Sequence, residues 1–243
     1  MSQAGFTDPP RVPEGLSVIA FGDVHGRLDK LEALLARIEA RAAQRPERRH
    51  LVISLGDLVD RGPDSAGVVA RMLRGVAGCE LVVLRGNHEQ ILLDFLLGQP
   101  DGVNTINLGG LETMASYGLD VSPERIEKMS LGDLRRGFLG VCPPDHRRFL
   151  AGLPCCKTVG DYFFVHAGVR PGIALENQDE EDMLWIRDAF FEERRRFAKK
   201  IVHGHTPVEA PEFLDNRINL DTGAVFGGRL TAALFEDDRV SLF

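Results

Sequence analysis

Apolar and polar positions along this chain alternate in blocks, and the period changes from block to block. Leu16–Phe21 is an almost unbroken apolar run that ends at Gly22, which predicts a buried strand. From Leu28 to Ala43 the pattern becomes helical: Leu28, Leu31, Leu34, Leu35 and Ile38 share one face, charged residues fill the other, and Pro46 closes the segment. A second apolar run, Leu51–Leu55, completes a strand–helix–strand unit, for which a right-handed crossover is expected. The unit repeats. Pro63-Asp64-Ser65 marks a helix start, and Val68, Val69, Met72 and Leu73 give that helix an apolar face. Leu81–Leu84 is a third strand, followed by a helix carrying Ile91, Leu92, Phe95 and Leu96.

The rhythm then breaks. Residues 99–153 are rich in glycine and polar positions, with helical stretches expected only at Leu111–Tyr117 and Asp145–Leu153. This reads as an insertion covering a site. Strands resume at Tyr162–Val165. A charged helix is expected from Trp185 through Phe190 to Lys200, with Glu192-Glu193-Arg194-Arg195-Arg196 as its solvated face, paired at three and four residues. Short strands follow at Lys200–Val202, Ile218–Leu220, Leu230–Phe235 and Val240–Phe243, and their close spacing suggests an antiparallel second sheet. Residues 1–15, with Pro9, Pro10 and Pro13, read as a flexible lead-in to a single domain over 16–243.

What ends the strands matters more than the strands. The first runs into Gly22-Asp23-Val24-His25-Gly26, the second into Gly56-Asp57-Leu58-Val59-Asp60-Arg61-Gly62, and the third into Gly86-Asn87-His88-Glu89. Tyr162–Val165 runs into His166-Ala167-Gly168, and Lys200–Val202 into His203-Gly204-His205. Ligand sites in open α/β sheets lie beyond the carboxyl ends of strands, so these turns can meet at one edge. Five of the seven histidines sit in them.

Mixed Asp, Asn and His donors suit manganese, iron or zinc and not a thiolate site. Asp23 and His25 stand one residue apart and can serve one cation. Asn87, His166 and a C-terminal histidine can serve a second, with Asp57 shared between them. Two such cations, roughly 3.5–4 Å apart, clamp the attacking and leaving oxygens of an in-line displacement and activate a water between them. Arg61 offers a guanidinium fork for phosphate oxygens. His88 points elsewhere than Asn87 and can act as general acid, with Asp60 holding its tautomer.

This motif set, in this order, resembles that of the PPP metallophosphatases of the calcineurin-like phosphoesterase superfamily. Arg85-Gly86-Asn87-His88-Glu89-Gln90, Asn107-Leu108-Gly109-Gly110, Gly204-His205-Thr206-Pro207 and Asp221-Thr222-Gly223-Ala224 are similar to the bacterial and phage branch that includes lambda phosphatase. The resemblance implies a four-layer α/β/β/α sandwich of two mixed sheets flanked by helices. It assigns Asp23 and His25 to one divalent metal, Asp57 to both, and Asn87, His166 and His205 to the other, which leaves His203 as a neighbour. It makes His88 the acid, paired with Asp60, and Arg61 and Arg187 the phosphate clamps. It implies a metallophosphatase with two divalent metals, manganese foremost. The expected substrates are phosphoserine or phosphothreonine proteins or small phosphoesters, with symmetrical bis(5'-nucleosyl)-tetraphosphate hydrolysis as the alternative.

Composition narrows the setting. The net charge of -7 argues against a nonspecific nucleic-acid binder. No apolar run approaches the ~20 residues a membrane helix needs. The four cysteines, Cys79, Cys142, Cys155 and Cys156, form no Cys-x-x-Cys pair and read as free thiols, so a cytoplasmic setting with no membrane partner is expected.

Overall fold

A computed structural model describes residues 7–243. Two five-stranded sheets lie face to face. The first has the order β10-β9-β1-β2-β3, built from β1 (Leu16–Phe21), β2 (Arg49–Ser54), β3 (Glu80–Val83), β9 (Ala232–Glu236) and β10 (Arg239–Leu242). The second has the order β4-β5-β6-β8-β7, built from β4 (Cys156–Val159), β5 (Tyr162–Val165), β6 (Lys200–His203), β7 (Glu212–Phe213) and β8 (Arg217–Asn219). In each sheet three neighbouring strands run parallel, β1, β2 and β3 in one and β5, β6 and β8 in the other. The remaining strands pair antiparallel, so both sheets are mixed.

Side chains on a strand alternate between faces, and here both faces are covered. From β1, Val18 and Ala20 enter the seam between the sheets, where they join Ile53, Phe164, Val202, Ile218 and Phe235. Ile19 and Phe21 point the other way, into a core shared with α1 (Leu28–Gln44), α2 (Ser65–Leu73) and α3 (Asn87–Leu97). β5 splits likewise: Tyr162 and Phe164 face the seam, while Phe163 and Val165 pack outward against Met183, Ile186 and Phe190. These are the four layers that the family resemblance implies.

The segment at 99–153 is helical, with α4 (Asn104–Asn107), α5 (Gly110–Ser116), α6 (Pro123–Ile126), α7 (Leu131–Val141) and α8 (Pro144–Ala151). Its Met114, Leu134, Phe138 and Leu150 belong to the same core as α1, α2 and α3. The sequence pattern does not single out α7, which opens on a Ser130–Asp133 capping box.

Two expectations are corrected. The helix from Trp185 to Lys200 does not form. α9 (Glu180–Trp185) ends where it would begin, α10 (Asp188–Phe191) is one turn, and residues 192–199 are bends and irregular chain. The Asn216 amide donates to the carbonyls of Glu193 (2.7 Å) and Arg195 (3.3 Å), and Arg195 folds back onto the Glu193 carboxylate two residues away, so pairing is not at helical spacing. Nor is the C-terminal third an antiparallel second sheet: β6 and β8 run parallel there, and the β9–β10 hairpin joins the first sheet beside β1. The expected lead-in lies partly outside the described residues. Of the rest, Val12 is buried and its N–H donates to Asp237 O at 2.9 Å.

Candidate active site

The carboxyl ends of β1, β2 and β3 in one sheet and of β5, β6 and β8 in the other meet at one edge, and every turn singled out in the sequence arrives there. Two side-chain groups form with Asp57 in common. His25, Asp57 and His88 are one; Asp57, His166 and His205 are the other, and all are buried. Asp57 Oδ2 lies 3.4 Å from His25 Nε2, and Oδ1 lies 3.4 Å from His166 Nε2. Asn87 Oδ1 is 2.9 Å from both His166 Nε2 and His205 Nδ1. Asp23, 4% exposed, reaches the same place from β1 and accepts the His205 backbone N–H at 3.2 Å. Asp23, His25, Asp57, Asn87, His166 and His205 therefore come together. His203 does not join them. It is buried between Phe190 and Phe191 and donates Nδ1–H to Gly204 O at 3.1 Å, as a neighbour of the site.

Close approach explains the motif glycines. A side chain at Gly86 would run into Asp57 Oδ1, and one at Gly204 into Asp23 Oδ1. Strain marks the same turns: His25, Asp57, Asp60, Arg61 and His205 all have positive φ, between 45° and 72°.

The donor set fits cations on physical grounds. His166 Nδ1 faces the Leu55 carbonyl at 2.9 Å and so must carry the proton, which leaves Nε2 as a lone pair aimed at the Asn87 and Asp57 oxygens. His25 is held the same way by the Val59 carbonyl at 2.8 Å, with Nε2 turned toward Asp57. At His166, acceptors facing acceptors in a buried site is an arrangement that a cation resolves, and backbone carbonyls fixing the outer ring nitrogen, as at both histidines, are typical of metal-binding imidazoles. The electrostatics agree. Burial pushes Asp23 well above the carboxylate range, and the nearby Asp221 and Asp57 push it further. Burial lowers His25 to about 3 and also lowers His166, which keeps both rings neutral and able to ligate. Burial opposes ionisation of Asp57 too, but His166, His88 and His25 around it outweigh that and hold it low.

The other expected groups adjoin these two clusters, His88 and Asp60 buried beside Asp57 and the two arginines closer to solvent. His88 Nδ1 meets Asp60 Oδ2 at 2.8 Å. Burial would lower His88, yet the Asp57 charge and the Asp60 hydrogen bond raise it above the ordinary histidine value. Arg61 Nη1 donates to His25 Nε2 at 2.7 Å, and Arg187 Nε donates to His205 Nε2 at 3.2 Å. Each arginine thus touches a histidine of a different group.

The chain as a whole matches a family model. The model is that of the calcineurin-like phosphoesterases, and it covers residues 16–243. The chain belongs to this family. Among curated relatives, the phosphoesterase is 31% identical over 234 residues to the asymmetrical bis(5'-nucleosyl)-tetraphosphatase PrpE of Anoxybacillus flavithermus, spanning 89% of each chain. It is 30% identical over 241 residues to PrpE of Bacillus velezensis, spanning 90% of each. Among solved structures it superposes on a diadenosine tetraphosphatase candidate with a TM-score of 0.64 and 25% identity, covering 93% of this chain and 92% of the other. A serine/threonine phosphatase from Saccharomyces cerevisiae shares the fold at 17% identity and a TM-score of 0.54, covering 94% and 79%. The expected kinship holds for the family, whereas the curated relatives here carry the tetraphosphatase name and not that of lambda phosphatase. Family membership implies divalent metals, for which the phosphoesterase has the candidate ligands above. No helix among the described residues is long and apolar enough to cross a membrane.

Three groups in the phosphoesterase have roles that sequence reasoning did not assign. Glu89, fully buried, accepts the backbone N–H groups of Asp57, Leu58, Val59 and Gly86 at 2.8–3.2 Å and pins the turn that carries Asp57. Its place in the motif was visible, but its backbone partners across the sheet edge were not. Thr113, from α5, donates to Asp60 Oδ1 at 2.7 Å, and Gly109 O accepts the Arg61 N–H at 3.0 Å, so the 99–153 segment supports the site from outside. Asp221, two residues beyond β8, is raised to about 6 by burial and in turn raises Asp23.

Proposed function

We propose that this phosphoesterase hydrolyses bis(5'-nucleosyl) tetraphosphates asymmetrically, to a nucleoside triphosphate and a nucleoside monophosphate. The observation that carries a phosphoryl-transfer site is the placement of Arg61 and Arg187 on opposite sides of one shared carboxylate, each against a different histidine group. Two guanidinium groups so placed bind phosphate oxygens from two sides. The substrate class is supported by relatives that match along nearly the whole chain and bear that activity in their names. The likeness to protein phosphatases is one of fold alone.

Asp23, His25 and Asp57 would hold one divalent ion, and Asp57, Asn87, His166 and His205 the other. Manganese is the proposed metal, and iron or zinc suits the same donors. When bound, such a pair supplies charge stabilisation of the phosphoryl oxygens and acidified water. The side chains do the rest. Arg61 and Arg187 orient the outer phosphate. Asp60 fixes His88 with Nδ1–H toward itself, so that Nε2, buried near Asp57, can hold the proton the leaving oxygen requires. Water adds to the outer phosphorus, the bridging P–O bond breaks, and the nucleoside triphosphate leaves with that proton. The helical segment over 99–153 is proposed to shape substrate access.

The test is product analysis. Purified protein with manganese and diadenosine tetraphosphate is expected to release ATP and AMP in equal amounts. Two ADP would make the cleavage symmetrical. Inertness toward this substrate, together with rapid release of phosphate from a phosphoserine peptide, would replace the proposal with a protein phosphatase.

A further inference from the structure

Phe226 is 68% exposed, although burying a phenylalanine is favourable. It sits on a short loop that is held rigidly. Phe226 N–H and Gly228 N–H both donate to Gly223 O, at 2.9 and 3.0 Å. The Ala224 carbonyl accepts from Arg27 Nη1 at 3.2 Å and from Lys30 Nζ at 2.7 Å, and Lys30 also bonds Gly228 O, which ties the loop to the first turn of α1. The ring is displayed by a braced shelf. One further contact gives it a direction: the Arg61 guanidinium carbon lies 5.6 Å from its ring centroid. Arg61 thus bridges from His25 at the reaction centre to Phe226 at the rim. Beside the pair opens a groove of about 790 Å³, lined by Gly26, Arg27, Leu28, Arg61, Pro63 and Val225. That volume is within the usual range for a small-molecule site.

From this geometry we infer that Phe226 is the stacking platform for the nucleobase whose own 5'-phosphate is attacked, with the sugar lying over the Arg61 groove. The inference rests on the nucleotide reading of the site and deepens it. A phosphate gripped by Arg61 has one ribose between itself and its base, and the Phe226 ring lies one guanidinium away from that grip. A substrate cut in the middle would place its base a further phosphate off. The platform therefore favours cleavage next to the nucleoside, which is the asymmetrical outcome. An aromatic face stacks on any base, so it selects nucleotides over bare phosphoesters without choosing strongly among bases. Phe226 is a specificity residue here and takes no part in moving protons.

The test compares AMP with inorganic phosphate as inhibitors of p-nitrophenyl phosphate hydrolysis, in the wild type, Phe226→Ala and Phe226→Trp. Losing one base–aromatic stack should raise the inhibition constant of AMP roughly 5–150-fold relative to that of phosphate in Phe226→Ala. Phe226→Trp should restore the preference. The KM for diadenosine tetraphosphate should rise in parallel, with kcat changing less. An unchanged AMP-to-phosphate ratio in Phe226→Ala overturns the platform, as does failure of tryptophan to rescue. Because the ratio is read with a base-free reporter reaction, it decides the platform separately from the substrate proposal, which stands or falls on wild-type products alone.

Discussion

The seam between the two sheets and the edge where their strands end are both buried, but they are built on opposite terms. In the seam, Tyr162, Phe164 and Phe235 pack with ring centroids 4.9–6.3 Å apart, on strands in regular pairing. At the edge, five non-glycine residues adopt positive φ, and among the described residues only Asp237 does so elsewhere. Each such conformation costs of order 1–3 kcal/mol. The edge also buries Asp23, Asp57, Asp60, Glu89 and Asp221, and burial raises the pKa of Asp23, Asp60, Glu89 and Asp221. The seam supplies stability that the edge consumes, which is how a phosphoesterase can hold so many acceptors in one small volume.

The comparison breaks most sharply at Asp57. Asp57→Asn should abolish turnover and lower metal content measured by mass spectrometry, while the melting temperature in chelator stays near that of wild type; an active, fully metallated variant would remove the shared-ligand role. His88→Asn should keep its metals and lose roughly 10²–10⁴-fold in kcat, and turnover close to wild type would take His88 out of the mechanism. Asp60→Asn removes a group that raises His88. Activity that needs a protonated His88 falls as pH rises through its pKa, so the alkaline limb of kcat/KM should move to lower pH in this variant.

Phe164→Ala acts on the other region. It should lower stability by about 3–5 kcal/mol in denaturant titration, with kcat per folded molecule preserved; a comparable loss of kcat would show that the two regions are coupled. Chelation of wild-type protein should lower the melting temperature, by the equivalent of about 2.7 kcal/mol where the metal had been present at a hundred times its Kd. The smallest effect is expected for Glu89→Gln, which turns an amide NH2 toward backbone donors. It should cost about 1–3 kcal/mol and loosen the Asp57 turn, seen as a higher metal concentration for half-maximal activity. Unaltered metal dependence would make Glu89 purely a brace of the fold.

Much of the site could be read in the chain because each ligand follows an apolar run and adjoins a glycine. A strand ending in Gly56-Asp57 or Gly86-Asn87 has little else to do with such groups, and β1, β2, β3, β5 and β6 deliver them where expected. Residues 192–199 look helical in sequence because charges at helical spacing are the same whether or not a distant side chain claims the backbone, and Asn216 does so here. The pairing of β9 with β1 was equally hidden. Ala233 and Phe235 alternate as any half-buried strand does, and only the seam they fill tells which sheet they join.

From the amino-acid order alone came the chemistry at each strand end, since residue type and neighbouring glycines are local properties. Tertiary structure alone decided that these ends converge on Asp57, that Glu89 and Thr113 brace it, and that Phe226 stands exposed beside Arg61. Those facts depend on contacts between residues far apart in the chain, which no local pattern encodes.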